Sequence, residues 1–459
     1  MGSARRPARG DSGPMSEKLV FFLQRLVRKT WLRCALFALL ACAAVMLATW
    51  AGPYIPDGTA IDLGSDALDS LLNILASSML TVSIFSASTM VSAFSAVANS
   101  ATPRASQLLI EDSTVQNTLA VFIGAFIYGV ISLVGLHAHV YGDGGRLVLF
   151  GFTLLILLGV VVVLLRWIDY LSVLGRLGET IRRLEEATCK AIDQRIDKPY
   201  LGGRRQQSGE RGSHEVRSDA TGFVQHVAMD QLQARAQALD GQIHLHVLPG
   251  AFVAPGAVLA SSDRPLDDAA RDAIRQAVLI GNGRTFDHDP RYGFVVMGEI
   301  AARAMSASIN DPGTALEVIG AGVRTLAHWA ARQQEAASPS ASTSGSAASA
   351  PSSPPPCDRV TAPALREAGM VEDVFEPLAR YAAGAVEVGI ALQRALRSVG
   401  MLHPALREPS ERLSAYALER AEKADLCGTD VEALRGAARE ATGGTRFSAS
   451  PGMSDTSAP

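Results

Sequence analysis

The run from Ser70 to Asn99, SLLNILASSMLTVSIFSASTMVSAFSAVAN, contains no charged residue and is dense in hydroxyls. As a helix rising about 1.5 Å per residue it reaches roughly 40 Å, more than the roughly 30 Å hydrocarbon core of a bilayer requires. The chain must therefore organise itself around a membrane-spanning helix that is tilted or extended by a turn.

At about 100° per residue, Ser70, Ser77, Ser78, Thr81, Ser88, Ser92, Ser95 and Asn99 fall within one arc, shared with Ile74, Phe85 and Ala96. The other side carries Leu72, Met79, Leu80, Val82, Met90, Phe94 and Val97, with Ser83 and Ser86 as exceptions. The apolar side suits lipid or apolar neighbours. Three roles are open to the hydroxyl arc: close helix packing, a water-lined path, or bonding to the helix's own carbonyls.

The rest of the chain fits a membrane half joined to a water-soluble half. The 459 residues are 48% hydrophobic and carry a formal net charge of -3, and the mean hydropathy is +0.17. Such a balance excludes a dedicated nucleic-acid binder, which needs a strongly basic domain. The cysteines, Cys34, Cys42, Cys189, Cys357 and Cys427, have no C-x-x-C or zinc-type spacing, so neither a disulfide framework nor a structural metal is expected.

Read in order, residues 1–17 are a disordered tail and 18–166 a four-span transmembrane domain. The first span is the apolar run from Leu32 to about Gly52, flanked by Trp31 and Trp50 and too long for a signal-peptide core. The serine-rich run is the second, and spans at about 115–137 and 147–165 follow. Basic residues in the flanking segments place both termini and the 99–116 loop on the cytoplasmic side. After Arg166 the fourth span is expected to leave the bilayer as one long helix.

Residues 167–332 read as a cytoplasmic α/β domain. The polar 201–219 segment is expected as a loop, followed by a strand at Phe223–Val227, a helix at Asp230–Leu239 and a strand at Gln242–Leu248. The run PGAFVAPGAVL resembles the turn of lipoyl-like half-barrels but lacks their hairpin Lys, so it predicts a structural half-barrel without a covalent carrier role. Helical periodicity covers Pro265–Gly281 and Val296–Ser308. Residues 333–358 form a Ser/Ala/Pro linker, 359–440 a helical section divided near His403 and Pro404, and 441–459 a disordered tail.

Four blocks carry a family resemblance: the serine-rich span with its exit Ala101–Arg104, the G-F-V-Q to G-A-F-V segment, G-N-G-R-T-F-D-H-D, and S-I-N-D-P-G-T-A. Over most of residues 20–332 the chain resembles bacterial predicted membrane proteins built on a domain of unknown function, family 2254. The resemblance implies a four-span inner-membrane protein with a cytoplasmic domain, and no activity.

Three clusters are candidates for chemistry. Asp62, Asp66 and Asp69 share one face if helical, and in an oligomer would form an acidic outer mouth; a solvated face with an N-cap for the second span is the simpler account of them. Arg284, Asp287, His288 and Asp289 gather in a glycine-flanked turn suited to an anion or to capping, without the G-K-S/T of a P-loop. Asn310 or Asp311 caps a helix opened by Pro312. The pairs His244/His246 and His137/His139 alternate as strand residues do, which is weak evidence for a metal.

No G-x-S-x-G or H-E-x-x-H is present, so an enzyme is not expected, nor any cofactor or metal. The expectation is a membrane α-helical protein with four transmembrane helices and a cytoplasmic α/β domain containing a half-barrel. It would be a homo-oligomer in the lipid bilayer whose serine helix lines an ion or small-solute path. The rival is a membrane-anchored scaffold or sensor with no path, binding a protein partner that the sequence does not name.

Overall fold

A computed structural model describes residues 30–51, 65–110, 112–338 and 355–442. Contacts divide the chain into two compact units, 1–183 and 184–459.

The first unit is helical: α1 (Thr30–Ala51), α2 (Ser65–Ser100), a short α3 (Ser106–Ile110), α4 (Ser113–His137) and α5 (Asp143–Val173). Helix α4 is central, packing against α1, α2 and α5. It can do so because its small residues admit close neighbours: a Cβ on Gly129 would lie 3.1 Å from that of Ala76 on α2. Leu72, Leu75 and Met79 of α2, Phe122 and Tyr128 of α4, and Leu149 and Trp167 of α5 form the core. The Tyr128 hydroxyl would be costly in this setting without a partner. It donates to the Leu149 carbonyl at 3.2 Å and lies 3.0 Å from the Thr153 hydroxyl.

Three of the helices are long and apolar enough to cross a bilayer, through Ala67–Ser100, Ser113–His137 and Gly144–Val173. The first expected span is helical too, but its apolar stretch among the described residues, Cys34–Trp50, is shorter. The helix expected to continue out of the fourth span instead breaks. Leu174 is extended, Gly175 takes φ +84°, and a separate amphipathic helix, α6 (Leu177–Asp197), begins. A left-handed φ is readily taken by glycine, and helical periodicity on either side of Gly175 gives no warning of it.

Among its described residues the second unit holds two sheets. One has five strands in the order β1-β8-β4-β6-β2: β1 (Gly203–Arg205), β8 (Cys357–Ala362), β4 (Ile243–Leu245), β6 (Val258–Ser262) and β2 (His214–Arg217). Strand β8 runs parallel to both neighbours, and the other pairings are antiparallel. The second sheet is antiparallel, β5 (Phe252–Val253), β3 (Gly222–Val227) and β7 (Val278–Gly281). Helices α7 (Met229–Ala238) and α8 (Asp268–Ala277) supply Leu232, Ala236 and Ile274 to a core shared with Ile243, Leu259 and Val360.

Several expectations change here. The 201–219 segment is not merely a loop, because it supplies β1 and β2. PGAFVAPGAVL supplies β5 to one sheet and β6 to the other, so the expected half-barrel becomes a junction between two sheets. The strand expected over Gln242–Leu248 is shorter, and the helix expected to reach Gly281 ends at Ala277, where β7 starts. The linker is also shorter at both ends. Helix α10 (Pro312–Ala337) enters it, and β8 leaves it to complete the large sheet, so the chain after the linker is not purely helical.

Around Phe294, Val318, Phe375 and Leu392, all buried, pack α9 (Pro290–Ala304), α10, α11 (Ala368–Tyr381) and α12 (Val386–Leu402). Helices α13 (Pro404–Glu422) and α14 (Gly428–Thr442) complete the unit. The expected division at His403 and Pro404 is present, with His403 capping α13.

Candidate functional site

The serine arc of α2 lies outside the bundle. Ser77, Thr81, Ser88, Ser92, Ser95 and Asn99 are exposed and Ser78 is half-buried, beside exposed Ile74 and Phe85. The apolar side faces α4, and the two hydroxyls expected to be exceptions on it, Ser83 and Ser86, are the buried ones. Many of the hydroxyls are tied to their own helix. Ser77 donates to the Asn73 carbonyl at 2.8 Å, Thr81 to Ser77 at 3.0 Å and Ser83 to Met79 at 2.7 Å. Such bonds let a hydroxyl face an apolar medium at low cost while its acceptor lone pairs stay available.

Of the acidic trio, Asp62 lies outside the described residues, and Asp66 lies in the first turn of α2 with its side chain undescribed. Asp69 sits inside the helix rather than at its cap, with Oδ1 3.6 Å from His137 Nε2 at the end of α4. The expected N-cap role therefore does not fall to Asp69.

A charged clasp that the sequence did not reveal gathers at the other end of α4. Asp112 caps α4 by accepting from Thr114 N at 2.6 Å. It also accepts from the Tyr170 hydroxyl at 2.9 Å and pairs with Arg183. Arg183 donates to Tyr170 at 3.0 Å and to Glu179 at 2.7 Å, and Trp167 stacks on Tyr170. Burial pushes the Asp112 carboxyl up, but the bonds from Thr114, Tyr170 and Arg183 outweigh it and hold it below the usual carboxylate range. Hydrogen bonds from Arg182 and Arg183 bring Glu179 down to about 2. Glu179 and Arg183 stand at i,i+4 on one helix, but no local spacing ties them to Asp112 or Tyr170.

In the second unit, the turn before α9 brings together Arg284 and Asp289 of the expected cluster. Asp289 is 4% exposed and caps α9 through Arg291 N; Arg284 Nε bonds it at 2.7 Å. Burial raises its carboxyl against the pull of Arg284 and Arg195. Gly250, at φ +94°, leaves the room: a Cβ there would lie 2.2 Å from Asp289 Oδ2. His288 lies against His226, and Asp287 is half-buried in the same turn. Asp311 is the cap of α10, accepting from Thr314 N at 3.1 Å and from its hydroxyl at 2.6 Å. Asn310, at φ +47°, makes the left-handed turn out of α9, a conformation asparagine tolerates.

Beside this turn opens a cleft of about 170 Å³, lined among others by Arg195, Tyr200, Trp329, Gln333 and Glu367. Burial holds the Arg195 guanidinium below its usual value, opposed by the charge of Asp289. Its lining residues come from α6 and the turn after it, the start of α9, α10 and the segment after β8, and nothing in the sequence ties them together. Among the described residues no group of three or more His, Cys, Asp or Glu is placed to hold a metal ion.

A family model described as Predicted membrane protein (DUF2254) matches residues 27–398, most of the chain. The chain belongs to that family. The chain is also similar to uncharacterized proteins of Mycobacterium tuberculosis and Mycobacterium bovis, each 32% identical over 106 residues, 22% of this chain and 20% of theirs. The match thus spans about a fifth of the length of these relatives. No solved structure matches.

Proposed function

We propose that this DUF2254 protein is a four-span protein of the bacterial inner membrane with both termini in the cytoplasm. In this reading it forms a homo-oligomer in which the α2 arcs of neighbouring copies line an ion or small-solute path. One observation carries it: the helix most able to accommodate water is placed with its apolar side inward on α4 and its hydroxyl arc, Ser77 to Asn99, outward. A second copy turned about a closed axis would remove that arc from lipid, and hydroxyls paired to their own carbonyls still present acceptors to a cation or to water. The sheet-containing unit then assembles or gates the path.

The internal bonding of Ser77 and Thr81 favours one other reading, a scaffold or sensor whose arcs pack dry against each other. Flux from liposomes reconstituted with the full chain separates the two. Conduction that Ser88→Leu and Ser92→Leu abolish, while cross-linking shows the oligomer intact, supports the path. Oligomers without flux of any ion or small solute in a broad panel overturn it in favour of the scaffold. Monomers without flux overturn both.

A further inference from the structure

The cleft in the second unit holds two opposite charges that do not meet. Arg195 and Glu367 both line it, yet among the described residues neither forms an ion pair within 4.0 Å, with the other or with any third group. Other guanidiniums of this unit are committed: Arg284 to Asp289, Arg291 to Asp373 through two bonds, and Arg324 to Glu185. The Arg195 guanidinium donates from Nη2 to the His288 carbonyl at 3.1 Å. A guanidinium has five donors in a planar fork, so this leaves an edge able to grip a carboxylate.

Apart from the Gln333 amide and the Tyr200 hydroxyl, the rest of the lining is apolar or aromatic. Ile192 and Ile196 come from the same helix as Arg195, with Leu365 and the nearly buried Trp329 (2% exposed) from other elements. A bare divalent anion such as phosphate gains nothing from these walls and meets Glu367 as a like charge. A hydrophobic amine makes no use of the remaining Arg195 donors and adds a like charge beside them. The space, about 170 Å³, is slightly above the roughly 150 Å³ of a cavity that admits benzene. It suits a molecule of few heavy atoms.

We infer that the cleft binds a small zwitterion with an apolar body, an apolar α-amino acid, its carboxylate on Arg195, its ammonium toward Glu367 and its side chain on the apolar wall. The two unpaired charges select for both ends of the ligand at once, and the isoleucines and Trp329 select for the side chain. This assignment does not depend on whether the membrane unit conducts.

The test is calorimetric titration of the full chain in detergent with L-leucine, isovalerate and isoamylamine, which share a carbon skeleton but carry both charges, the carboxylate alone or the ammonium alone. L-leucine should bind at least about tenfold more tightly than either of the others. Glu367→Gln should lower leucine to the level of isovalerate and leave isovalerate unweakened. Ala364→Phe, at the exposed rim of the cleft, should abolish binding with the ligand-free melting temperature unchanged, which guards against misfolding as the cause. No heat with leucine, isovalerate binding as well as leucine, or leucine binding equally to wild type, Glu367→Gln and Ala364→Phe would each overturn the inference.

Discussion

Replacing Arg183 by Gln should destabilise the protein by about 2–3 kcal/mol, nearly all of it through Asp112. Each side chain of the Arg183–Asp112 pair is only 14% exposed. Glu179 keeps its bonds from Arg182 at 2.8 and 2.7 Å, so its charge stays matched. Asp112 keeps Thr114 N and the Tyr170 hydroxyl but loses its only cation among the described residues. Stranding a half-buried carboxylate costs less than the roughly 3–5 kcal/mol of a fully buried pair and more than the median exposed pair. Asp112→Asn alone retains the capping oxygen and should cost about 1–2 kcal/mol.

In the double variant no carboxylate remains for Arg183 to neutralise at that position. A double-mutant cycle, read from reversible unfolding of the full chain in detergent micelles, should therefore give a coupling of about 1.5–2 kcal/mol. Additivity within about 0.3 kcal/mol would refute the clasp as an interacting unit. The pH dependence gives a second readout. Because Glu179 titrates at about 2 in the fold against an ordinary 4.5, its contribution is complete above the ordinary value and lost as pH falls toward 2. Asp112, also depressed, acts in the same direction.

Two further outcomes follow from the second unit. Burial and the charges of His288 and Lys198 lower His226 to about 4, so between pH 6.5 and 4 the unfolded chain takes up a proton that the fold refuses. Stability should fall by about 2–3 kcal/mol across that window, and His226→Gln should flatten the profile of thermal unfolding. An unchanged slope would mean that His226 opens to solvent. Gly293→Ala should destabilise by about 1–3 kcal/mol, because its Cβ would lie 1.8 Å from Thr188 Oγ1 where α9 packs against α6, and Thr188→Ala should recover most of the loss in a chemical-denaturation series.

Much of the helical framework was legible because long apolar runs have few alternatives. Ser113–His137 and the serine-rich run are recovered within a few residues of their expected limits. Asp311 as the cap before Pro312 was legible for a similar reason, since its partner Thr314 is three residues away. What local pattern could not reach was the pairing of short polar strands. β1 and β2 have three and four residues and gain their hydrogen bonds from β8 and β6. In sequence they read as loop because the period-2 signal needs more residues than they contain.

The candidate sites divide along the same line. That α2 has a hydroxyl arc and an apolar side follows from helical periodicity alone, which assigns faces without knowing the neighbours. Which side turns inward is a matter of packing, set by the fit of Ala76 against Gly129 and of Leu72, Leu75 and Met79 into the core around α4. The same holds for charge. Composition shows a near balance of acids and bases, but which guanidiniums are neutralised depends on contacts between residues such as 112 and 183, or 291 and 373. Arg195 and Glu367 stand apart in one cleft for that reason: helix positions are set locally, whereas the meeting of distant side chains is set by how the elements pack.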